Sequence, residues 1–370
     1  VKLMIKWTMI IVVVLLLLVG CTGDRITGKA VHDDTIKIGF VAPLTGPFAE
    51  WGESIQYGFD LALEDVDHHF EVVYEDTNCD PKKTFDSIHK MLTIDDVRLI
   101  IGPGCVTGLK AAAPLTDEYD ALMFSTGFLD DDVFKHTSVL NFATQVSTEA
   151  KSIAKYMHED GVQSVAIMTG TNLFGEELKR TLSLALEEYG IEVVAVEQTP
   201  LGTLNFQSII LKMMKKKPDA VFVHQGEREI GLFAKQLREM QYDVALYGDY
   251  AVETPAVIES GGKALDGMRY TYPYNHAEDK RVVFLARYEA KYGEFPTATS
   301  LIVYDGMMLL DEALDFCESN DTQCIRDYFI SKGMFEGVSG EMVVDDMGKM
   351  QRPFGLKEIK KKEFEWIKTP

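Results

Sequence analysis

The stretch from Ile36 to Val66, IKIGFVAPLTGPFAEWGESIQYGFDLALEDV, holds a strand, a Gly- and Pro-rich loop and an amphipathic helix in succession. Ile55, Phe59, Ala62, Leu63 and Val66 recur at a spacing near 3.6, which makes one helix face apolar and directs it onto a sheet. The loop from Pro43 to Gly52 carries too many rigid and permissive residues for a bare connection. In an open α/β sheet, a loop at the end of a strand is where a ligand docks.

The same alternation continues outward. Short β-rich runs at Glu71 to Tyr74, Arg98 to Ile101 and Ala121 to Phe124 are separated by helical patterns from about Lys82 and Thr107, the signature of parallel βαβ units. A second series begins at Ser164 and runs through Glu192 to Val196, Ala220 to Val223 and Val244 to Tyr247, again with helices between. Ordered strand and helix-start residues from Val139 to Thr148 join the two series, with no Gly/Ser linker. The fold class is therefore α/β, with two doubly wound parallel-sheet lobes. Long helices follow at about Asp279 to Tyr292 and Thr299 to Phe316, then short strands from Gly340 to Ile367 with a turn at Arg352-Pro353.

Two such sheets leave a cleft between the carboxyl ends of their strands. The loops expected to face it are Pro43 to Gly52, Gly102 to Gly108 and Ser125 to Leu129 from the first lobe. From the second they are Thr169 to Phe174, His224 to Glu227 and Gly248 to Val252. Phe128 and Gln225 in these loops are candidate ligand contacts.

The run GPGCVTGLK from Gly102 to Lys110 is not a phosphate-binding P-loop, because Leu109 separates Gly108 from Lys110 and Ala111 follows. What remains is a helix start after a strand, with free N–H groups and the Thr107 hydroxyl, suited to a carboxylate; a helix cap serving stability alone is the alternative. Trp51 is either an aromatic wall for an apolar ligand or a partly buried core residue. Asp249 and Tyr250 follow a strand, where a carboxylate facing the cleft would pair with a ligand ammonium, a solvated loop being the other reading. Asp130, Asp131 and Asp132 lack the spacing and Gly of a calcium loop and read as a solvated helix start. No nucleophile elbow, zinc-protease motif or dinucleotide fingerprint occurs, and no metal or cofactor is expected.

At the N-terminus, Lys2 and Lys6 precede an apolar run from Met9 to Val19 and then Gly20-Cys21. This is the pattern of a secretory signal over residues 1–20, with small residues before Cys21 in the manner of a lipoprotein signal, an uncleaved membrane anchor with a buried Cys being the alternative. Cys21 is expected to carry lipid and residues 21–34 to form a tether. If so, four of the 5 Cys remain, an even number suited to an oxidising space. Cys79 with Cys105 could close a loop worth roughly 3 kcal/mol, and Cys317 with Cys324 one worth about 2 kcal/mol; four buried thiols are the alternative. The net charge of −21 argues against nucleic acid and describes a self-repelling chain, expected to be a monomer.

Three segments together resemble the leucine/isoleucine/valine-binding branch of the type I periplasmic binding fold. They are GFVAPLTGPFAEWGESIQYGFDLALEDV, YEDTNCDPKKTFDSIHKML and LIIGPGCVTGLKAAAPLTDEYDALMFSTG. The resemblance implies a non-enzymatic receptor that closes two lobes over an amino acid or a related small amide or carboxylate and delivers it to ABC permease subunits in the membrane. A ligand-sensing ectodomain that signals to a partner receptor is the alternative role. The resemblance also implies a Cys79–Cys105 disulfide and a hinge of three crossovers near Thr144, Pro273 and Ser339. Lobe 1 then comprises residues 35–144 plus 274–338, and lobe 2 residues 145–273 plus 339–370. Trp51 matches the aromatic ring that flanks the ligand side chain, and Cys105-Val106-Thr107 and Ser125-Thr126-Gly127 match the segments holding its carboxylate and ammonium. The chain departs from the pattern at Val106, where leucine binders have Ser. It departs again near Tyr250, where they have the Glu that pairs with the ammonium, leaving Asp249 as the adjacent substitute.

Overall fold

The computed structural model describes residues 35–46, 48–127, 133, 135–143, 145–274 and 278–370. The signal segment, the tether with Cys21, Phe128, Asp130 to Asp132 and the crossover at Thr144 lie outside the described residues.

The opening stretch forms β1 (Ile36–Ala42) and α1 (Ala49–Asp65). They are followed by β2 (Phe70–Asp76), α2 (Pro81–Thr93), β3 (Leu99–Ile101), α3 (Val106–Glu118), β4 (Leu122–Ser125) and β5 (Val139–Asn141). These strands build a five-stranded sheet in the order β2-β1-β3-β4-β5, with every pairing parallel. A parallel sheet is covered on both faces, which is why β1, β3 and β4 are runs of apolar residues rather than alternating ones. On α1, Ile55, Phe59 and Ala62 pack on the sheet as the periodicity predicts, the Phe59 ring centroid 4.5 Å from that of Phe40. Leu63 is only half-buried, and Val66 is the helix C-cap. Leu61 is buried instead, against Phe284 and Tyr288 of a later helix that covers the flank of α1.

The second lobe comprises α4 (Val146–Glu159), β6 (Ser164–Gly170), α5 (Leu173–Glu188), β7 (Glu192–Thr199), α6 (Gln207–Met214), β8 (Ala220–Val223), α7 (Glu227–Glu239), β9 (Ala245–Gly248), α8 (Pro255–Gly261) and β10 (Arg269–Pro273). The chain then returns to the first lobe as α9 (Glu278–Tyr292), α10 (Ala298–Cys317) and α11 (Thr322–Lys332), followed by β11 (Met334–Gly337), β12 (Gly340–Val344) and β13 (Met350–Gln351). It ends in β14 (Phe354–Lys360) and β15 (Glu363–Lys368), which extend the second sheet to β15-β14-β10-β9-β8-β6-β7 with two antiparallel edge strands.

Met342, Val344 and Met350 lie in the same core as Ile38 and Phe40. The third passage between lobes therefore falls at Arg352 and Pro353, beyond the expected Ser339, and the segment from Gly340 to Gln351 packs with the first lobe. Short strands joined by turns carry no mark of which sheet they serve, so only their packing decides it. Arg352 is fully buried here; its Nη1 donates to the Phe142 carbonyl at 2.7 Å and its Nη2 to Ser339 Oγ at 3.3 Å. It thereby ties the first and third crossing segments together. Both disulfides are formed, with Cα–Cα distances of 5.5 Å for Cys79–Cys105 and 5.9 Å for Cys317–Cys324, the latter joining α10 to α11.

Candidate functional site

The carboxyl ends of β1, β3 and β4 face those of β6 and β8 across a cavity of about 610 Å³, a volume ordinary for a small-molecule site. Six of the residues singled out in the sequence, Trp51, Val106, Thr107, Gly127, Gln225 and Tyr250, line it. They meet because each sits where a strand hands over to a helix.

On the first lobe, α3 begins at Val106 with Cys105 as a cap residue whose side chain makes no cap bond, so the first N–H groups of the helix are open toward the cavity. Beside it, a Cβ on Gly127 would stand 1.8 Å from the Gly104 carbonyl oxygen, so the two loops approach backbone to backbone and admit no side chain at 127. A Cβ on Gly104 would stand 2.4 Å from the Trp51 ring, which is held by an Nε1–H bond to Thr299 Oγ1 at 3.2 Å. Thr126 Oγ1 is buried on this wall and makes no hydrogen bond to any described residue. Neutral and apolar surface continues through Phe48 and Ile302.

The second lobe contributes Leu173 and Phe174 at the start of α5, with the Phe174 ring 4.7 Å from His224. Gln225 is occupied structurally: its Nε2 donates to the Thr199 carbonyl at 2.9 Å and to Thr199 Oγ1 at 2.7 Å. Glu149, in the first turn of α4, is an acid on the wall that sequence reasoning missed. Its Oε1 accepts from the Tyr250 N–H at 3.1 Å and from Thr271 Oγ1 at 2.8 Å. Burial, reinforced by the charge of Asp249, pushes its carboxyl well above the usual carboxylate range. Burial likewise pushes up the Tyr250 phenol, with the two acids adding to the effect. The signal for Glu149 was present in the sequence: Val146, Glu149, Ala150 and Ile153 share the spacing of a buried helix face, which places an acid on an apolar stripe.

Two expected contacts stand behind the wall. Ser125 is fully buried beneath the wall, its Oγ donating to the Pro103 carbonyl at 3.2 Å and accepting from the Gly127 N–H at 3.4 Å, so it shapes the loop rather than facing the cavity. Asp249 is also fully buried behind the wall; it caps the turn at Tyr250–Val252 through the Ala251 N–H at 3.2 Å and stands 2.5 Å from His224 Nδ1. Phe128 falls outside the described residues. Among the described lining residues Glu149 is the sole acid and none is Lys or Arg. No group of His, Cys, Asp and Glu among the described residues has a metal-binding arrangement.

A family model described as periplasmic binding protein matches residues 35–363. The leucine-, isoleucine-, valine-, threonine- and alanine-binding protein of Pseudomonas aeruginosa is 23% identical over 349 residues, which cover 90% of this chain and 91% of that protein. A leucine binding protein from Thermotoga maritima superposes with a TM-score of 0.76 at 22% identity, over 90% of this chain and 99% of that one. A solute binding protein of an ABC transporter from R. palustris, solved with benzoate, superposes with a TM-score of 0.77 at 18% identity, over 91% of this chain and 96% of that one.

Proposed function

Because this chain belongs to the periplasmic binding protein family, we propose that it is the solute receptor of an ABC importer, lipid-anchored through Cys21, and that its ligand is an α-amino acid with an apolar side chain. The observation that carries the ligand class is the polarity of the cavity. One wall offers the open N–H groups at the start of α3 and the unpartnered Thr126 hydroxyl, which suit a carboxylate. The opposite wall carries the Glu149 carboxyl with Asp249 behind it, which suits a cation. Trp51, Phe48 and Ile302 on the first lobe and Phe174 on the second add apolar surface that suits a hydrocarbon side chain.

A ligand bearing a carboxylate alone, such as the benzoate bound by the R. palustris protein, gains nothing from the acidic wall. The family position and the amino-acid-binding relatives support the same reading. No helix among the described residues is long and apolar enough to cross a membrane; the apolar run from Met9 to Val19 before Gly20-Cys21 is what supports attachment through Cys21. Permease subunits are the proposed partners, engaged when hinge motion about the crossovers closes the lobes over the ligand.

Thermal unfolding of the purified protein with L-leucine, L-isoleucine, L-valine, L-phenylalanine, small amides and benzoate tests the ligand class. A ligand held at 100 times its Kd should stabilise the fold by about 2.7 kcal/mol. A shift with the amino acids and none with benzoate is expected, and a shift confined to benzoate or the amides defeats the amino-acid reading.

A further inference from the structure

Three titratable groups meet in the second lobe from three elements. Glu149 comes from α4, Asp249 from the end of β9, and His224 from the end of β8. The two acids are not equivalent. Asp249 has no exposed surface: its Oδ1 accepts from the Ala251 N–H, and its Oδ2 is sealed behind the wall beside His224 Nδ1 without a hydrogen bond from any described residue. Glu149 reaches the cavity wall, and both of its hydrogen bonds arrive on one oxygen, Oε1, at 3.1 and 2.8 Å. Its Oε2 accepts nothing from the described residues. Tyr250 offers a phenol and no charge.

We infer that Glu149 is the residue that receives the ligand's primary ammonium, so that a helix at the lobe crossover takes over a contact the loop after β9 does not make. The inference rests on the amino-acid reading of the cleft. It also assigns the ligand's chemistry more narrowly: a cationic amine is required, and amides and simple carboxylates are excluded. The surroundings make the contact proton-linked. The groups facing Glu149 are Asp249, the phenols of Tyr250 and Tyr272 behind it, the Thr271 hydroxyl and, next to Asp249, His224. None of the described lining residues supplies a fixed positive charge. Before a ligand arrives, burial and the Asp249 charge both oppose ionisation of the Glu149 carboxyl. An ammonium seated at Oε2 favours the carboxylate, and the proton leaves to solvent as the ligand enters.

The test is calorimetric titration of the purified protein and of E149Q with L-leucine, L-phenylalanine and 4-methylpentanoate, which is leucine without its amine, in two buffers of different ionisation heat. Glutamine can accept the same two hydrogen bonds, and circular dichroism checks that E149Q is folded. The expected result is net proton release on leucine or phenylalanine binding by the native chain, and affinity that rises with pH. E149Q should bind about 10- to 100-fold more weakly, release no proton, and no longer distinguish leucine from 4-methylpentanoate. Folded E149Q that keeps the native preference for leucine, or native protein that binds 4-methylpentanoate as tightly as leucine, overturns the inference while leaving a binding cleft. If neither amino acid binds the native protein, the amino-acid reading itself fails and this assignment with it.

Discussion

Replacing Trp51 by Ala separates a ligand wall from a core residue. Trp51 stands in the first turn of α1, half-buried, packed against the first lobe's core on one side and lining the cavity on the other. A tryptophan side chain offers about 200 Å² for burial. If half of it faces a bound side chain, at about 25 cal/mol per Å² the ligand loses about 2.5 kcal/mol on truncation, or roughly 70-fold in affinity. The core-facing half and the hydrogen bond to Thr299 set the stability loss at about 2 to 3 kcal/mol, below the full cost of emptying a buried Trp site. Calorimetric titration with L-leucine, paired with denaturant unfolding of the same preparation, reads both quantities. If W51A loses stability on this scale and its folded fraction binds with native affinity, Trp51 belongs to the core alone and the cavity has been assigned the wrong wall. Gly104→Ala probes the same ring from behind, since its Cβ would stand 2.4 Å from the indole; the ring must move into the cavity, and affinity should fall while the disulfide beside it stays intact.

Removing the Cys79–Cys105 bridge as the double Ser variant should lower unfolding free energy by about 3 kcal/mol and weaken ligand binding, because both cysteines line the cavity. The Cys317–Cys324 double Ser variant should lower stability by about 2 kcal/mol with affinity unchanged, since that bridge ties α10 to α11 away from the cleft; equal effects on affinity from the two would contradict the placement. Arg352→Met leaves Asp305 without its buried partner and the Phe142 carbonyl without its donor, and urea unfolding should show a loss of about 3 to 5 kcal/mol. Asp305 itself sets a pH slope: burial, opposed by hydrogen bonds from Ser339 and Val338, holds its carboxyl at about 6. The folded protein therefore binds more protons than the unfolded chain between the ordinary carboxylate range and pH 6, and stability falls by about 3 kcal/mol as pH rises through that window. D305N should flatten this part of the profile measured between pH 4 and 7, and an unchanged slope would assign the dependence to other groups.

Local chemistry alone determined the two-sheet alternation, the apolar faces of α1 and of the strands, and the loops that face the cleft. Each of these is written in periodicity or in turn residues, whose physics acts over a few positions. Trp51, Thr107, Gly127 and Tyr250 were legible as site candidates for that reason: a ligand at strand ends meets whatever residues the turns carry. Tertiary structure decided the rest. Ser125 and Asp249 occupy the right loops but turn behind the wall, because side chains alternate along a strand and its exit and a one-residue change reverses which side they face. Glu149 enters the cavity from a helix that no strand-end rule selects, although its place on an apolar stripe marked it. The segment from Gly340 to Gln351 joined the first lobe rather than the second, since short strands take their identity from the partner they pair with. Contacts between residues 101 and 210 positions apart, Glu149 with Tyr250 and Arg352 with Phe142, depend on how the lobes and crossovers come together, and that is a property of the whole packed chain.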